Sequence, residues 1–448
     1  MEKSRRGRLL VGAAPLTFLL IVCLLSADFF GGNIIAFDQW MQHLSGSQLE
    51  EQKPLQPLLA RLVRGKDRRQ LEASGFACDV AENSIVCIAN EPVRIDTSKN
   101  VTVYSSSLTL TVQDETRVKP YALQKDKYLL QYITAVKILH GNNKPPACQY
   151  NHDIPAVIFS SGISGNLFHE FNDIMIPLFI TTKHFQSRVF LILEDYKPSF
   201  VTKFSKVISR LSSYEVMNPA ANGSVHCFSG MILGLKYHDN LALNPRDIPG
   251  GHSMHDFRQF LAETYDLKFK HVSHIRKPTL MLISREKTRK FLNEDEMVTM
   301  IKELGFRVIV ARTKEAKNLN KFANIVNSCG VLVGAHGAGL TNELFLPAGA
   351  VMVQVEPLGM EWAAANYYGN PACAMGVRYL RYKIEPEESS LLDSYGRNHS
   401  VIMDPASVYA KGYRAVRAVY LDQQDVRVDI DRFRKTIQQA LRMVKMHL

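Results

Sequence analysis

His169 and Asp173 lie four residues apart in Asn166 to Phe179, whose apolar spacing predicts a helix. At i and i+4 they share one face, where a carboxylate fixes the imidazole tautomer and raises its basicity. Such a pair makes a general base; it equally makes a polar pair that stabilises a helix start. Gly162 and Gly165 turn the chain just before it, and Asn166 is placed to cap the helix. Arg285 directly follows a predicted strand, Thr279 to Ile283. Open α/β sheets gather ligands at the carboxyl ends of their strands, so this guanidinium is placed to pair with a phosphate, with Arg289 in support. The other reading of Ser284 to Arg289 is a solvated basic loop.

A third constellation is VLVGAHGAGLTNELFLPAGAVMVQVEP, Val331 to Pro357. Its Val- and Leu-rich start predicts a strand buried on both faces. Gly334, Gly337 and Gly339 then surround His336, Leu340 to Leu346 predicts a short helix ended by Pro347, and Val351 to Val355 is a second strand. Exposed amides at that helix start suit a phosphate, although the spacing is neither GxGxxG nor GxxxxGK[ST] and a tight turn without ligand is the alternative. Glu356, at the end of the second strand, is placed to accept hydrogen bonds from a ribose or sugar hydroxyl. Metal binding is not expected. Asp429-Ile430-Asp431 is the one Asp-x-Asp, and capping of a C-terminal helix explains it.

The elements that must position these groups alternate. Short β-prone runs between Ser84 and Val112 predict an antiparallel beginning. Strands at Ala156 to Ser160 and Val189 to Leu193 then alternate with helices at Asn166 to Phe179 and Ser199 to Leu211, followed by a β-like Val225 to Tyr237 and a helical Met254 to Tyr265. This is the α/β pattern of a parallel sheet. A second such run starts at Thr279, and the chain from Pro386 is irregular until Ile430, Phe433, Ile437, Leu441 and Val444 mark a last helix. We therefore expect an acceptor-side domain over 75–270, a linker over 271–278, a nucleotide-sugar-binding domain over 279–385, and a tail with a packing helix over 386–448.

The N-terminus supplies a compartment. Lys3, Arg5, Arg6 and Arg8 precede an uncharged stretch, Leu9 to Ala27, close to the ~20 residues a membrane helix needs. Basic residues on the near side orient residues 1–8 to the cytosol, 9–27 as a signal anchor and 28–74 as a lumenal stem. A cleaved signal peptide is the alternative, disfavoured because apolar residues resume through Phe29, Phe30, Ile34 and Ile35. A net charge of +11 permits polyanions as partners, but a lumenal body excludes nucleic acid. In an oxidising lumen Cys78 with Cys87 are the best disulfide candidates and Cys148 with Cys227 the next, connectivity not being readable from sequence. Asn100, Asn222 and Asn398 head N-glycosylation sequons.

GNLFHEFND (Gly165 to Asp173), LISREKTR (Leu282 to Arg289), VGAHGAGLTNELFLP (Val333 to Pro347), RYLRYKIEPEES (Arg378 to Ser389) and the closing Tyr420 to Phe433 together resemble the plant glycosyltransferases of family sixty-one. The resemblance runs from about Cys78 to the end. It implies a GT-B arrangement, two Rossmann-like domains facing a cleft, behind an N-terminal transmembrane helix in a Golgi type II protein. It implies inverting, metal-independent transfer of arabinofuranose or xylose from its UDP-sugar to xylan, α-1,3-arabinofuranosyl transfer first, with a synthase complex as a possible setting. Asn166, His169 and Asp173 match the family's acceptor-side signature; Arg285, His336, Gly337, Gly339 and Asn342 match its nucleotide-side motifs, with Ala338 inside the loop. Asn366 to Ala374 departs from the pattern in a way that could bear on donor choice. Two rivals remain: a catalytically silent polysaccharide-binding scaffold, which could lose the Asn166, His169 and Asp173 set, and an NAD-dependent reductase, which the missing GxGxxG disfavours.

Overall fold

Short runs of Val, Leu, Ile and Met, too brief for helices and buried on both faces, form a five-stranded sheet in the C-terminal half. Its order is Arg307–Ala311, Thr279–Ile283, Val331–Ala335, Val351–Glu356, Arg378–Lys383, and every pair is parallel. The computed structural model describes residues 54–81, 83–105, 114–141, 144–221, 223–312 and 318–446. The expected cytosolic tail, signal anchor, first part of the stem and Asn222 lie outside them. Among the described residues no helix is long and apolar enough to cross a membrane. From Leu55 onward the contacts make one compact unit.

The N-terminal half holds two sheets. One is mixed, in the order Phe76–Val80, Ile85–Ala89, Met231–Leu233, Ala156–Phe159, Phe190–Leu193; its first two pairings are antiparallel and its last two parallel. The other has six strands and includes Val93–Asp96 and Val225–Phe228. The single β-like run expected over Val225 to Tyr237 is therefore two strands serving two sheets. The chain crosses between them at Gly230, where a Cβ would stand 2.8 Å from the Ala89 carbonyl oxygen and 2.7 Å from Leu59 Cδ1. Disulfides join Cys78 to Cys87 and Cys148 to Cys227; Cys329 and Cys373 are free.

Three segments differ from the sequence expectation. Residues 55–74, expected as stem with no more than a helical turn at Leu58 to Leu62, form helices Leu55–Ala60 and Gly65–Ser74, with Leu58, Leu59, Leu62, Val63 and Leu71 buried in the core. The surrounding Lys and Arg hide this short apolar face from a periodicity reading. The linker is not loose: Val272 is buried, its N–H donates to the Ala348 carbonyl at 2.9 Å, and the Ala348 N–H returns to Lys270. The stretch after Pro386 holds short helices, Leu391–Tyr395, Ser400–Met403, Pro405–Tyr409 and Tyr413–Val416, each too brief to show a period. The last helix, Ile430–Lys445, follows the expected spacing, with Phe433, Ile437, Ala440 and Val444 buried and Asp429 accepting from the Arg432 N–H as its cap.

The two halves share a core. Phe171 meets Phe345 edge-on with centroids 5.7 Å apart, and Tyr265 meets the same ring at 5.7 Å. Arg258 reaches across to the carbonyls of Leu344, Leu346 and Met375, ending the segment that begins at Ala338. That packing forms the floor on which the strand ends of both halves face one another.

Candidate active site

Strand Ala156–Phe159 ends in a turn that only glycine can make. Gly162 sits at φ 51°, and a Cβ there would lie 2.4 Å from the Tyr121 ring; Gly165 sits at φ 104°. Asn166 then caps the helix as expected, its Oδ1 accepting the Phe168 N–H at 3.0 Å. The helix does not stay regular. After Leu167–His169 it widens into a π turn, Glu170–Met175, before resuming at Ile176–Thr182, and such turns gather at functional sites.

The expected pair forms: His169 Nδ1 lies 2.8 Å from Asp173 Oδ2. Asp173 is buried and fully engaged, since Oδ2 also accepts the Tyr121 hydroxyl at 2.6 Å and Oδ1 accepts Asn172 Nδ2 at 2.6 Å. An ionised carboxylate is an acceptor only, so Nδ1 carries the hydrogen and Nε2 keeps its lone pair. Burial works against protonation of this ring, but the hydrogen bond and charge of Asp173, with the charge of Asp126, outweigh it and hold the pKa above the ordinary 6.5. A half-buried imidazole of raised basicity with a free Nε2 is a proton acceptor.

On the facing half, Arg285 follows its strand and turns back on its own loop, Nε donating to the Thr288 carbonyl at 2.7 Å. Arg289, at φ 54°, donates from Nη1 to the His336 carbonyl at 2.8 Å. Both guanidiniums press on Gly337, where a Cβ would lie 2.8 Å from Arg285 Nη1 and 3.0 Å from Arg289 Nη1. Among the described residues neither forms an ion pair, and Arg289 Nε is buried without a partner. Burial lowers both pKa values, that of Arg289 to about 10 with the Arg285 charge adding to the effect. Two half-buried cations side by side, neither held in an ion pair among the described residues and only Arg289 reached by a carboxylate charge, that of Asp422, suit an anion.

The segment after Gly337 is a 3₁₀ helix, Ala338–Phe345, starting two residues before the expected helix. Gly339 packs so tightly on its strand that a Cβ would come within 2.8 Å of Ile283 Cγ2. Asn342 donates to the Gly339 carbonyl at 2.8 Å and leaves its buried Oδ1 unpartnered. Glu343 is fully buried with neither oxygen partnered; burial raises its pKa well above 4.5 against the pull of Arg258, so it stands neutral. His336 is neutral for a different reason. Gln354 donates to its Nδ1 at 2.8 Å while accepting the Tyr379 hydroxyl at 3.1 Å, and burial, then Arg289 and Arg285, push the ring down to about 3.

A cavity of about 730 Å³ between the halves is lined by Asn166, Arg285, Ala338, Gly339 and Asn342, together with Lys203 and Glu170, which pair with one another. His169, Asp173, His336, Gly337 and Glu356 do not line it. His169 lies past Phe168, whose ring meets Tyr367 at 5.3 Å, and Tyr367 in turn stacks on His336 at 6.4 Å. Glu356 is buried with Oε1 accepting from Arg381 at 2.7 Å, and so is committed away from the cavity. Asn100 and Asn398 are exposed. Sequence reasoning missed Tyr121, which completes Asp173 from 52 residues away, and gave no role to Tyr367, which lies within the flagged stretch Asn366 to Ala374 and in a second π turn, Ala365–Gly369. No periodic signal marks either.

A profile of the family "Glycosyltransferase 61" matches residues 167–353. The chain is 36% identical over 372 residues to alpha-1,3-arabinosyltransferase XAT3 of Oryza sativa subsp. japonica, covering 81% of this chain and 64% of that protein. It is 33% identical over 386 residues to xylan glycosyltransferase MUCI21 of Arabidopsis thaliana, covering 81% and 78%. To beta-1,2-xylosyltransferase XYXT1 of Oryza sativa subsp. japonica it is 37% identical over 338 residues, covering 73% and 72%. The chain thus spans just under two thirds of the length of the arabinosyltransferase and nearly three quarters or more of the other two. With the His169 and Asp173 pair and the Arg285 and Gly337 contact both inside the matched region, the chain belongs to glycosyltransferase family 61.

Proposed function

We propose that the protein transfers a pentose from a UDP-sugar to xylan by inverting displacement, with arabinofuranose added in α-1,3 linkage as the leading reaction. The observation that carries this is the presence, within one matched region, of a proton acceptor, His169 held by Asp173, and of two half-buried guanidiniums without an ion pair among the described residues, Arg285 and Arg289, pressed on the Gly337 turn. His169 Nε2 takes the proton of an acceptor hydroxyl as its oxygen bonds to the anomeric carbon. The bond from that carbon to the diphosphate breaks on the opposite face, and its electron pair goes to the phosphate oxygen. Arg285, Arg289 and the amides of Ala338 and Gly339 meet the growing charge, so the scheme needs no divalent ion. Asp173 holds the ring and stabilises the imidazolium that forms. The 730 Å³ cavity, with Asn166, Arg285 and Asn342 in its walls, suits the nucleotide.

This reading carries a GT-B arrangement of the 75–270 and 279–385 regions about the cleft, and a Golgi type II placement with glycans on Asn100, Asn222 and Asn398. Xylosyl transfer is the second reading, because the matched xylosyltransferase is 37% identical and the arabinosyltransferase 36%. The test is product mass and linkage after incubating the full-length protein with xylo-oligosaccharides and either UDP-arabinofuranose or UDP-xylose, with and without EDTA. Gain of one pentose with one donor, unaffected by EDTA, is expected. Folded protein that binds no UDP would overturn the proposal.

A further inference from the structure

Among the described residues seven aromatic side chains are exposed, and their distribution is uneven. Tyr150 and Tyr214 lie on strand faces against His226 and Phe190. Of the other five, Trp362, Tyr409 and Tyr413 lie by Tyr367, and Tyr128 and Tyr132 form a pair. Trp362, 61% exposed, stands edge-on to Tyr367 at 5.7 Å, and the contacts continue through Phe168 at 5.3 Å to His169 at 5.5 Å, an unbroken run of rings from the surface to the proton acceptor. Tyr413, 69% exposed, is within electrostatic reach of both Tyr367 and Arg289. Tyr409 donates its hydroxyl to the Gly359 carbonyl at 2.6 Å, close to the same segment.

The opposite bank comes from the N-terminal half. Tyr128 and Tyr132 meet edge-on at 5.6 Å with their hydroxyls 3.4 Å apart. Tyr128 stands on a short helix, Lys127–Leu130, and Tyr132 just beyond it; the helix is capped by Asp126, whose charge acts on His169 and Tyr367, and Tyr132 feels the charge of Arg414, next in sequence to Tyr413. A soluble surface does not cluster such rings without an occupant.

The chemistry of the rim selects that occupant. Every ring but Trp362 carries a hydroxyl, and Asp126 and Arg414 stand among them, so the rim alternates apolar faces with hydrogen-bonding edges. A pyranose ring has the complementary pattern: C–H faces that sit on the negative face of a π-system and hydroxyls around its edge. We propose that this rim is the acceptor platform, where Trp362, Tyr413 and the Tyr128 and Tyr132 pair stack the sugars of a β-linked pyranose chain and Tyr367 sets which hydroxyl reaches His169. The proposal rests on the transferase reading and adds where its acceptor lies.

The experiment uses the full-length protein with xylohexaose and xylobiose as probes, measuring direct binding by calorimetry and, with donor in excess, acceptor KM. Trp362→Ala is expected to raise Kd and KM for xylohexaose about three- to tenfold, as a lost ring stack should. Xylobiose and UDP affinities stay unchanged, and Trp362→Phe restores most of the loss. The Tyr132→Ala Tyr413→Ala double variant adds to the effect. Wild-type xylohexaose binding in both folded variants overturns the platform while leaving transfer intact, as does failure of the wild-type protein to bind xylohexaose at all. Trp362-dependent binding without transfer of a pentose from either donor would keep the platform and remove the transferase reading.

Discussion

The two glycine turns at the centre of this molecule treat their polar groups in opposite ways. After Ala156–Phe159 the turn leads to Asp173, which receives the Tyr121 hydroxyl, the Asn172 amide and the His169 ring. Asn172 itself is bonded to Tyr237 and to the Leu241 N–H. After Val331–Ala335 the turn leads, among the described residues, to guanidiniums without an ion pair, an Asn342 oxygen without a donor and a Glu343 with two bare oxygens. A satisfied network is rigid in the absence of any ligand and serves to orient. An unsatisfied one costs stability until something binds. On the proposed reading, the contrast separates a preorganised acid–base half from an anion-binding half that a substrate would complete.

The largest effect that sharpens this contrast is expected at His169. His169→Ala should lower turnover by about 10²- to 10⁴-fold while leaving calorimetric UDP affinity alone. Loss of UDP affinity in step with turnover would merge the two halves. Arg285→Ala should lower turnover by about 10²- to 10³-fold and weaken UDP binding. Its melting temperature should change little, because among the described residues the half-buried guanidinium has no ion pair and bonds only within its own loop, to Thr288; a collapse in stability would mean that Arg285 belongs to a structural network instead.

Tyr121→Phe probes the saturated side. The lost hydrogen bond to a charged group should cost roughly 1.5 to 3 kcal/mol in denaturant unfolding. It should also move the pH profile. In the proposed mechanism neutral His169 is the active form, and its pKa is raised above the ordinary 6.5, so activity should fall as pH drops through that raised value. With one donor fewer, Asp173 draws the imidazole proton more strongly and the acid limb moves to higher pH; Asp173→Asn should move it lower. An acid limb indifferent to both changes would detach it from His169. The smallest effect belongs to Glu343→Gln. Because burial already keeps this carboxyl neutral, the near-isosteric amide should change stability by less than about 1.5 kcal/mol, as measured by thermal melting. A large loss would show a charge there that Arg258 pairs with.

Legibility in the sequence followed the range of the interactions. The strands at Thr279–Ile283 and Val331–Ala335, the caps Asn166 and Asp429, and the His169 to Asp173 spacing are set by neighbours within a few residues, and each is where its pattern places it. Tyr121 reaches Asp173 through tertiary packing, and the Trp362 to Phe168 run of rings joins the two halves, so no local period announces them. Both π turns insert extra helical width that a 3.6-residue reading passes over. Glu356 misled because a strand-end position says nothing about Arg381, which arrives from the adjacent strand to bind it. The hidden core of residues 55–74 was obscured by composition: five apolar contacts sit within a run of charge.

The turn that carries Arg289 is held by distant backbone. Its N–H donates to the Gln424 carbonyl at 2.8 Å, the Lys290 N–H to Asp425, and the Val426 and Leu292 N–H groups close a short ladder between the segments. Gln424 also clasps both backbone groups of Leu358, past the end of the next strand but one. A growing chain on the ribosome therefore makes both strand ends and both glycine turns long before the anion site can take its shape. The ribosome must add some 135 further residues after Arg289 before the clasp arrives, and a message truncated ahead of Gln424 would yield a protein with both glycine turns but without the backbone bond that holds the Arg289 N–H.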